Sequence, residues 1–291
     1  MNIAVAIIHG MGQQGPNFHE DMKRELVERI AALNPDINLI VKGVFWADIT
    51  DHLEKKLWHH THADQLHWDK FPGLRQFVVH YFGDAIAYQA IPPENGPCQD
   101  DYIYDDIHLR YATCLQSLAE DAGENAPLCI IAHSLGTIIS SNFFYDLQHG
   151  KLSAKTAALI NNCHSRLVRG ETLTHFYTMG SPIALWTLRF RDFGIPISVP
   201  APGLQQLGIG EWANFYDKDD LIAYPIKNLN PHYHQVVTED MEVKCPGMLG
   251  WTPVSHTTYF EADEVLSRIV QSLNHLSQQI TMLPEVAASD E

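Results

Sequence analysis

Three features of the sequence predict an α/β fold, a mostly parallel sheet flanked by helices. Short apolar runs at Ile3 to Ile8 and Leu128 to Ile131 have the length of buried strands. Amphipathic stretches with helical spacing alternate with such runs, as a layered α/β fold requires. Between Leu128 and Ile139 the run Leu-Cys-Ile-Ile passes through Ala132-His133-Ser134-Leu135-Gly136 into Thr137-Ile138-Ile139. That stretch reads as a strand, a tight turn tipped by serine, and a helix.

Taken in order, the first strand, Ile3 to Ile8, ends in His9-Gly10-Met11-Gly12. Asn17 and Glu20 then have the spacing of a helix-capping pair. Phe18, Met22, Leu26, Ile30 and Leu33 give the following helix its apolar stripe. A second strand is expected over Ile37 to Phe45. From Trp46 to Tyr104 the chain becomes rich in aromatics and histidine, and we expect it to be mostly helical and peripheral to the sheet. It reads either as a cap forming one wall of an apolar pocket or as ordinary packed helices, since amphipathic spacing does not separate the two.

A helix from Tyr104 to Ala122 should precede the elbow strand, and another from Leu135 to Leu147 should follow it. Further strands are expected at Thr174 to Met179, ending in Gly180-Ser181-Pro182, and at Trp212 to Tyr216. Val265, Leu266, Ile269, Leu273, Leu276 and Ile280 mark a final helix over Ala262 to Leu283. Gly150 and Gly170 fall where helix caps are expected. There is no internal repeat.

With 291 residues and 45% hydrophobic content, the chain can build one large core. We expect one domain over 1–291, with 46–104 as a cap or insertion and 284–291 as a flexible tail. The formal net charge of −16 argues against nucleic acid and against adhesion to anionic lipid, and favours a neutral or apolar substrate. Cys98, Cys114, Cys129, Cys163 and Cys245 are odd in number, widely spaced and free of any CxxC pair, so they read as thiols of a reducing cytoplasm. The first apolar run is too short and too bare of preceding basic residues for a signal peptide. No run approaches the roughly 18 apolar residues of a membrane span, so integral membrane association is not expected.

A serine hydroxyl becomes a useful nucleophile only when exposed beside a base, with amide donors aimed at the oxyanion it creates. The elbow at Ser134 offers that exposure, with small residues, Ala132 and Gly136, two before and two after it. Elbows of this kind take their acid and then their histidine from downstream strand ends. Trp212 to Tyr216 leads directly into Asp217-Lys218-Asp219-Asp220. Asp220 is favoured as the acid, because Leu221-Ile222 and Tyr224-Pro225 would hold its loop against the body. Asp217 and Asp219 flank Lys218 and stay open as alternatives, as does a turn-forming role for all three.

Of the 17 histidines, His256 in Val254-Ser255-His256-Thr257 lies in a loop just before the final helix, where it can fold over the sheet edge. His133 adjoins the serine, but neighbouring side chains at a tight turn diverge, so a structural role is expected. The oxyanion hole is expected from the backbone N–H groups of Leu135 and Met11. Ser181 is followed by proline, which lacks the amide such a hole would use, and reads as structural. His59 and His62 could share a helix face, but no cysteine or ordered carboxylate pattern accompanies them, so no metal and no other cofactor is expected.

On these residues the chain resembles an α/β-hydrolase of the lipase and esterase group. His9-Gly10-Met11-Gly12, Ala132-His133-Ser134-Leu135-Gly136, Gly180-Ser181-Pro182, the acid loop and Ser255-His256 occur in the family's order. The segment Trp212 to Pro225 is also similar to the acid loop of intracellular phospholipase-like and GPI-deacylase-like members, where an Asp-Pro-Val run is common. Leu221 stands in place of that proline, and Ala132 in place of the elbow glycine. The resemblance implies hydrolysis of a small apolar or lipid-like ester through an acyl-serine. Ser134 would be the nucleophile, His256 the base and Asp220 its orienting acid. A thioesterase or phospholipase with the same triad, and a non-catalytic binding protein on the same fold, are the other readings.

Overall fold

A computed structural model of the protein describes residues 1–11, 14–61, 82–89, 102–245 and 255–282. Its centre is one sheet of six parallel strands in the order β2-β1-β3-β4-β5-β6. The strands are β1 (Asn2–Ile8), β2 (Asn38–Val44), β3 (Leu128–His133), β4 (Leu173–Met179), β5 (Glu211–Tyr216) and β6 (Glu239–Glu242). The helices, in chain order, are α1 (Glu20–Leu33), α2 (Ala47–Thr61), α3 (Ile103–Ala122), α4 (Leu135–Gln148), α5 (Ala154–Asn161), α6 (Ile183–Trp186), α7 (Pro231–Val236) and α8 (Asp263–Met282). A further helical stretch covers 82–87.

β1 shows why the sheet is buried on both sides. Successive side chains of a strand point to opposite faces, so a strand covered twice is apolar throughout. Ala4, Ala6 and Ile8 join Leu128, Ile130 and the α3 and α4 residues Leu115 and Ile139 in one core. Ile3, Val5 and Ile7 join Cys129 and Ile131 in the other, beneath Leu26 and Ile30 of α1 and Leu266 and Ile269 of α8. Helices therefore cover both faces of the sheet. Ser134 directly follows β3, Asp220 lies in the loop after β5, and His256 lies beyond β6 in a 3-10 turn over Ser255–Glu261.

Several expectations are refined. Helix α1 begins at Glu20, its N-cap is His19, and no side chain caps it, so Asn17 and Glu20 are not a capping pair. Asn17 lies in the preceding turn, where its carbonyl accepts from the Glu20 amide at 3.1 Å. The stripe of α1 buries Met22, Leu26 and Ile30, while Leu33 is exposed. Strand β6 was not foreseen, because Glu-Asp-Met-Glu lacks an apolar signal.

Within the aromatic segment, 47–61 and 82–87 are helical as expected. Trp46 and Tyr88 are fully packed in the core, as the reading of this segment as ordinary packed helices expects for its aromatics. Trp68, Phe71, Phe77, Tyr81, His62, His67 and Cys98, and the proposed tail at 284–291, lie outside the described residues. No helix among the described residues is long and apolar enough to cross a membrane.

Candidate active site

Ser134 occupies the junction between β3 and α4 at φ 53°, ψ −127°, a left-handed conformation that a non-glycine residue rarely adopts. Two close approaches explain why the turn can be so tight. A Cβ on Gly10 would lie 2.5 Å from the Ser134 Cβ, and one on Gly136 would lie 2.5 Å from the His9 carbonyl oxygen. The β1 turn and the elbow are thus in backbone contact, and only glycine fits at the two touching points.

His256 meets the serine across the sheet edge. Its Nε2 is 2.6 Å from Ser134 Oγ, and its Nδ1 is 2.8 Å from Asp220 Oδ2. An ionised carboxylate only accepts, so the imidazole proton sits on Nδ1, leaving the Nε2 lone pair to accept the serine hydroxyl proton. All three side chains are buried, so the exposure expected of Ser134 at the elbow is not found.

The three aspartates of the loop after β5 have different tasks. Asp217 is buried, its Oδ1 accepting from the Asp219 amide and its Oδ2 from the Cys245 amide, each at 2.9 Å. Asp219 is exposed. Asp220 faces His256 and also accepts from the Ile222 amide at 3.0 Å and the Tyr259 hydroxyl at 2.9 Å. Burial alone would raise the Asp220 pKa, but the hydrogen bonds from His256, Ile222 and Tyr259 and the nearby imidazole outweigh it and hold it below the ordinary value.

His133 does not approach the hydroxyl. Its Nε2 donates to the His256 carbonyl oxygen at 2.5 Å, and burial pushes its pKa down to about 3, so it is a neutral support under the histidine loop. Ser181 is also structural. Its Oγ accepts from the Ile183 amide at 3.2 Å and lies 2.8 Å from Thr137 Oγ1. Two backbone amides were named for an oxyanion hole, those of Leu135 and Met11. Leu135 opens α4, where the first amides have no intrahelical partner, and half-buried Met11 follows Gly10, which is packed against Ser134.

Three residues support the site: His9, named from the sequence only as part of its turn motif, and Tyr259 and Asp240, which were not singled out. The Trp46 amide donates to His9 Nε2 at 3.2 Å, so the His9 proton is on Nδ1, which donates to the Gly10 carbonyl at 2.7 Å. Burial takes the His9 pKa down to about 4, fixing this neutral form. Tyr259 bridges the acid loop, accepting from the Asp217 amide at 2.9 Å while donating to Asp220. Asp240, on β6, accepts from Asn214 Nδ2 and from the Ile226 and Lys227 amides, and Asn214 also donates to the Tyr224 carbonyl. The available signals were a tyrosine three residues after His256 and a lone aspartate on a short acidic strand.

Among the described residues, no group of three or more histidine, cysteine, aspartate or glutamate side chains is placed to hold a metal ion. Cys114, Cys129, Cys163 and Cys245 are free thiols.

No family model matches the chain, and no curated protein matches it in sequence. Among solved structures it is similar to an esterase of Rhizomucor miehei, at 10% identity and a TM-score of 0.40, over 96% of this chain and 76% of that one. It is also similar to the Pyrobaculum calidifontis esterase, at 11% identity and a TM-score of 0.40, over 94% of this chain and 77% of that one.

Proposed function

We propose that the protein is a serine hydrolase that cleaves carboxylic esters through an acyl-serine intermediate. The observation that supports this reading is the continuous hydrogen-bonded chain from Ser134 Oγ through the His256 ring to Asp220. His256 Nε2 takes the hydroxyl proton as Ser134 Oγ attacks the ester carbonyl, and the Leu135 and Met11 amides receive the oxyanion. The imidazolium then returns its proton to the departing alkoxide, leaving the acyl group on Ser134. Water, activated by the same imidazole, releases the acid. Asp220 keeps the proton on Nδ1 and stabilises the transient charge.

In this reading the enzyme needs no cofactor, its substrate is a small apolar or lipid-like ester, and it works in the cytoplasm. It forms one domain, with 46–104 inserted between β2 and α3. Hydrolysis of p-nitrophenyl esters and labelling by a fluorophosphonate, wild type beside Ser134→Ala, test the proposal. Turnover and labelling that vanish in the variant are expected. A wild type that neither turns over nor labels would leave a binding protein on a hydrolase fold.

A further inference from the structure

A cavity of about 400 Å³ opens along α4, beginning one turn beyond the serine. Ile138, Ser141, Asn142 and Tyr145 line it from one helix face, at the spacing that brings side chains into register. At ~1.5 Å per residue, the lining extends to ~16 Å from Ser134 along the helix. The opposite wall is the segment 183–195, short α6 and the turns that follow it, with Trp186, Phe193 and Ile195 facing the space.

That wall is held in place from behind. Asn230 Nδ2 donates to the Asp192 and Gly194 carbonyls at 2.7 and 2.8 Å, and the Gln148 amide pairs reciprocally with the Ser198 backbone at 2.9 and 3.0 Å. The cavity is therefore a built feature and does not depend on a chance rotamer.

Its charge is unusual for a chain of net −16. Two cations, Arg189 and Lys151, line it against a single carboxylate, Asp146, which already accepts the Tyr104 hydroxyl at 2.7 Å. Among the described residues the Arg189 guanidinium has no ion pair and rests only on the Phe190 ring, 4.8 Å from its centroid. Asn142, also in the lining, turns its buried Nδ2 toward the Tyr88 hydroxyl. A guanidinium without an ion pair beside apolar walls suits an anion carried on an apolar chain.

We propose that this cavity receives the remote part of the ester substrate, and that this part is an apolar chain ending in an anion, a carboxylate or a phosphate, bound by Arg189. The inference rests on the esterase reading for its placement beside Ser134. The binding preference itself does not need the reaction.

Calorimetric titration of Ser134→Ala protein with octanoate, octyl phosphate, 1-octanol and octyltrimethylammonium is the test. The two anions are expected to bind one to one, roughly tenfold tighter than the alcohol, as a charged hydrogen bond implies. Adding Arg189→Gln, at an exposed position, should erase the preference and leave the alcohol's affinity as it was. Arg191→Gln, exposed and outside the lining, should leave the preference intact. The stronger of the two anions then names the terminal group.

Equal affinity for anion and alcohol, tighter binding of the ammonium ligand, a preference that survives Arg189→Gln or falls with Arg191→Gln, or no binding at all would overturn the proposal. Because the titrated protein lacks the serine, a failure of ester hydrolysis in the wild type counts against the esterase reading alone.

Discussion

The Tyr259 hydroxyl donates to Asp220 at 2.9 Å, through the same carboxylate oxygen that meets His256. Replacing it with phenylalanine removes one of the bonds that hold the Asp220 pKa down and leaves the Asp217 amide without its acceptor. We expect Tyr259→Phe to lower kcat/KM roughly tenfold, the worth of a hydrogen bond to a charged group. The acidic limb of the pH profile should move to higher pH. A fall in activity with an unmoved limb would mean that Tyr259 only packs the loop.

Ser134, His256 and Asp220 act as a unit in the proposed reaction, so their losses should not add. Ser134→Ala and His256→Ala are each expected to cost on the order of 10³-fold or more in kcat, and the double variant little beyond either. Kinetics of the three variants on one p-nitrophenyl ester check this, and additive losses would contradict it.

Ser134 is also a site of stored strain. A side chain at φ 53°, ψ −127° costs of order 1–3 kcal/mol, which glycine avoids. Ser134→Gly should be inactive yet about 1 kcal/mol more stable than Ser134→Ala in urea denaturation.

Gly136→Ala has the opposite sign. The added Cβ would meet the His9 carbonyl oxygen at 2.5 Å, and backbone cannot swing aside as a side chain can. We expect a loss of about 2 kcal/mol or more, read as a lower urea midpoint, together with reduced activity.

Four buried histidines set an acid limit on the fold. Burial lowers the pKa of His9 and His175 to about 4, and of His108 and His133 to about 3, from 6.5. Between these values the unfolded chain binds protons that the folded one refuses. Stability is therefore full above pH 6.5 and lost as pH falls toward 4. Together the four contribute on the order of 5 kcal/mol per pH unit in that interval. Urea denaturation from pH 8 to 5 should show the slope beginning just below 6.5, before most carboxylates titrate. A flat curve to pH 5 would show that these rings are protonated in the folded state.

The candidate site was legible in the sequence where chemistry is tied to strand ends. Ser134, Asp220 and His256 each follow an apolar run or precede a strong helix, and the backbone carries them to one edge of the sheet. Asp220's apolar neighbours singled it out from Asp217 and Asp219, and it is the one that meets His256, whereas its further partner Tyr259, 39 residues away, left no such signal. Strand β6 was not legible, because an edge strand of Glu239-Asp-Met-Glu242 has one neighbour and little to bury. The start of α1 was misplaced because the Asn17 and Glu20 side chains match a capping pair that the backbone does not form. The cavity escaped notice because its far wall, 183–195, has no periodicity, and its position depends on Asn230 and Gln148.

Ser134 and His256 stand 122 positions apart, and what brings them together lies at the two ends of the chain. Helix α8, entered directly from the histidine loop, packs on α1, with Arg29 bonded to Asp263 at 2.6 Å and Asn34 to Asn274 at 2.9 Å. During synthesis the serine elbow can form long before its partner leaves the ribosome. The Ser134–His256 contact thus depends on chain emerging long after the elbow, α8 included. Loosening the seam is expected to separate Ser134 from His256 while the strands, which lie outside it, stay paired.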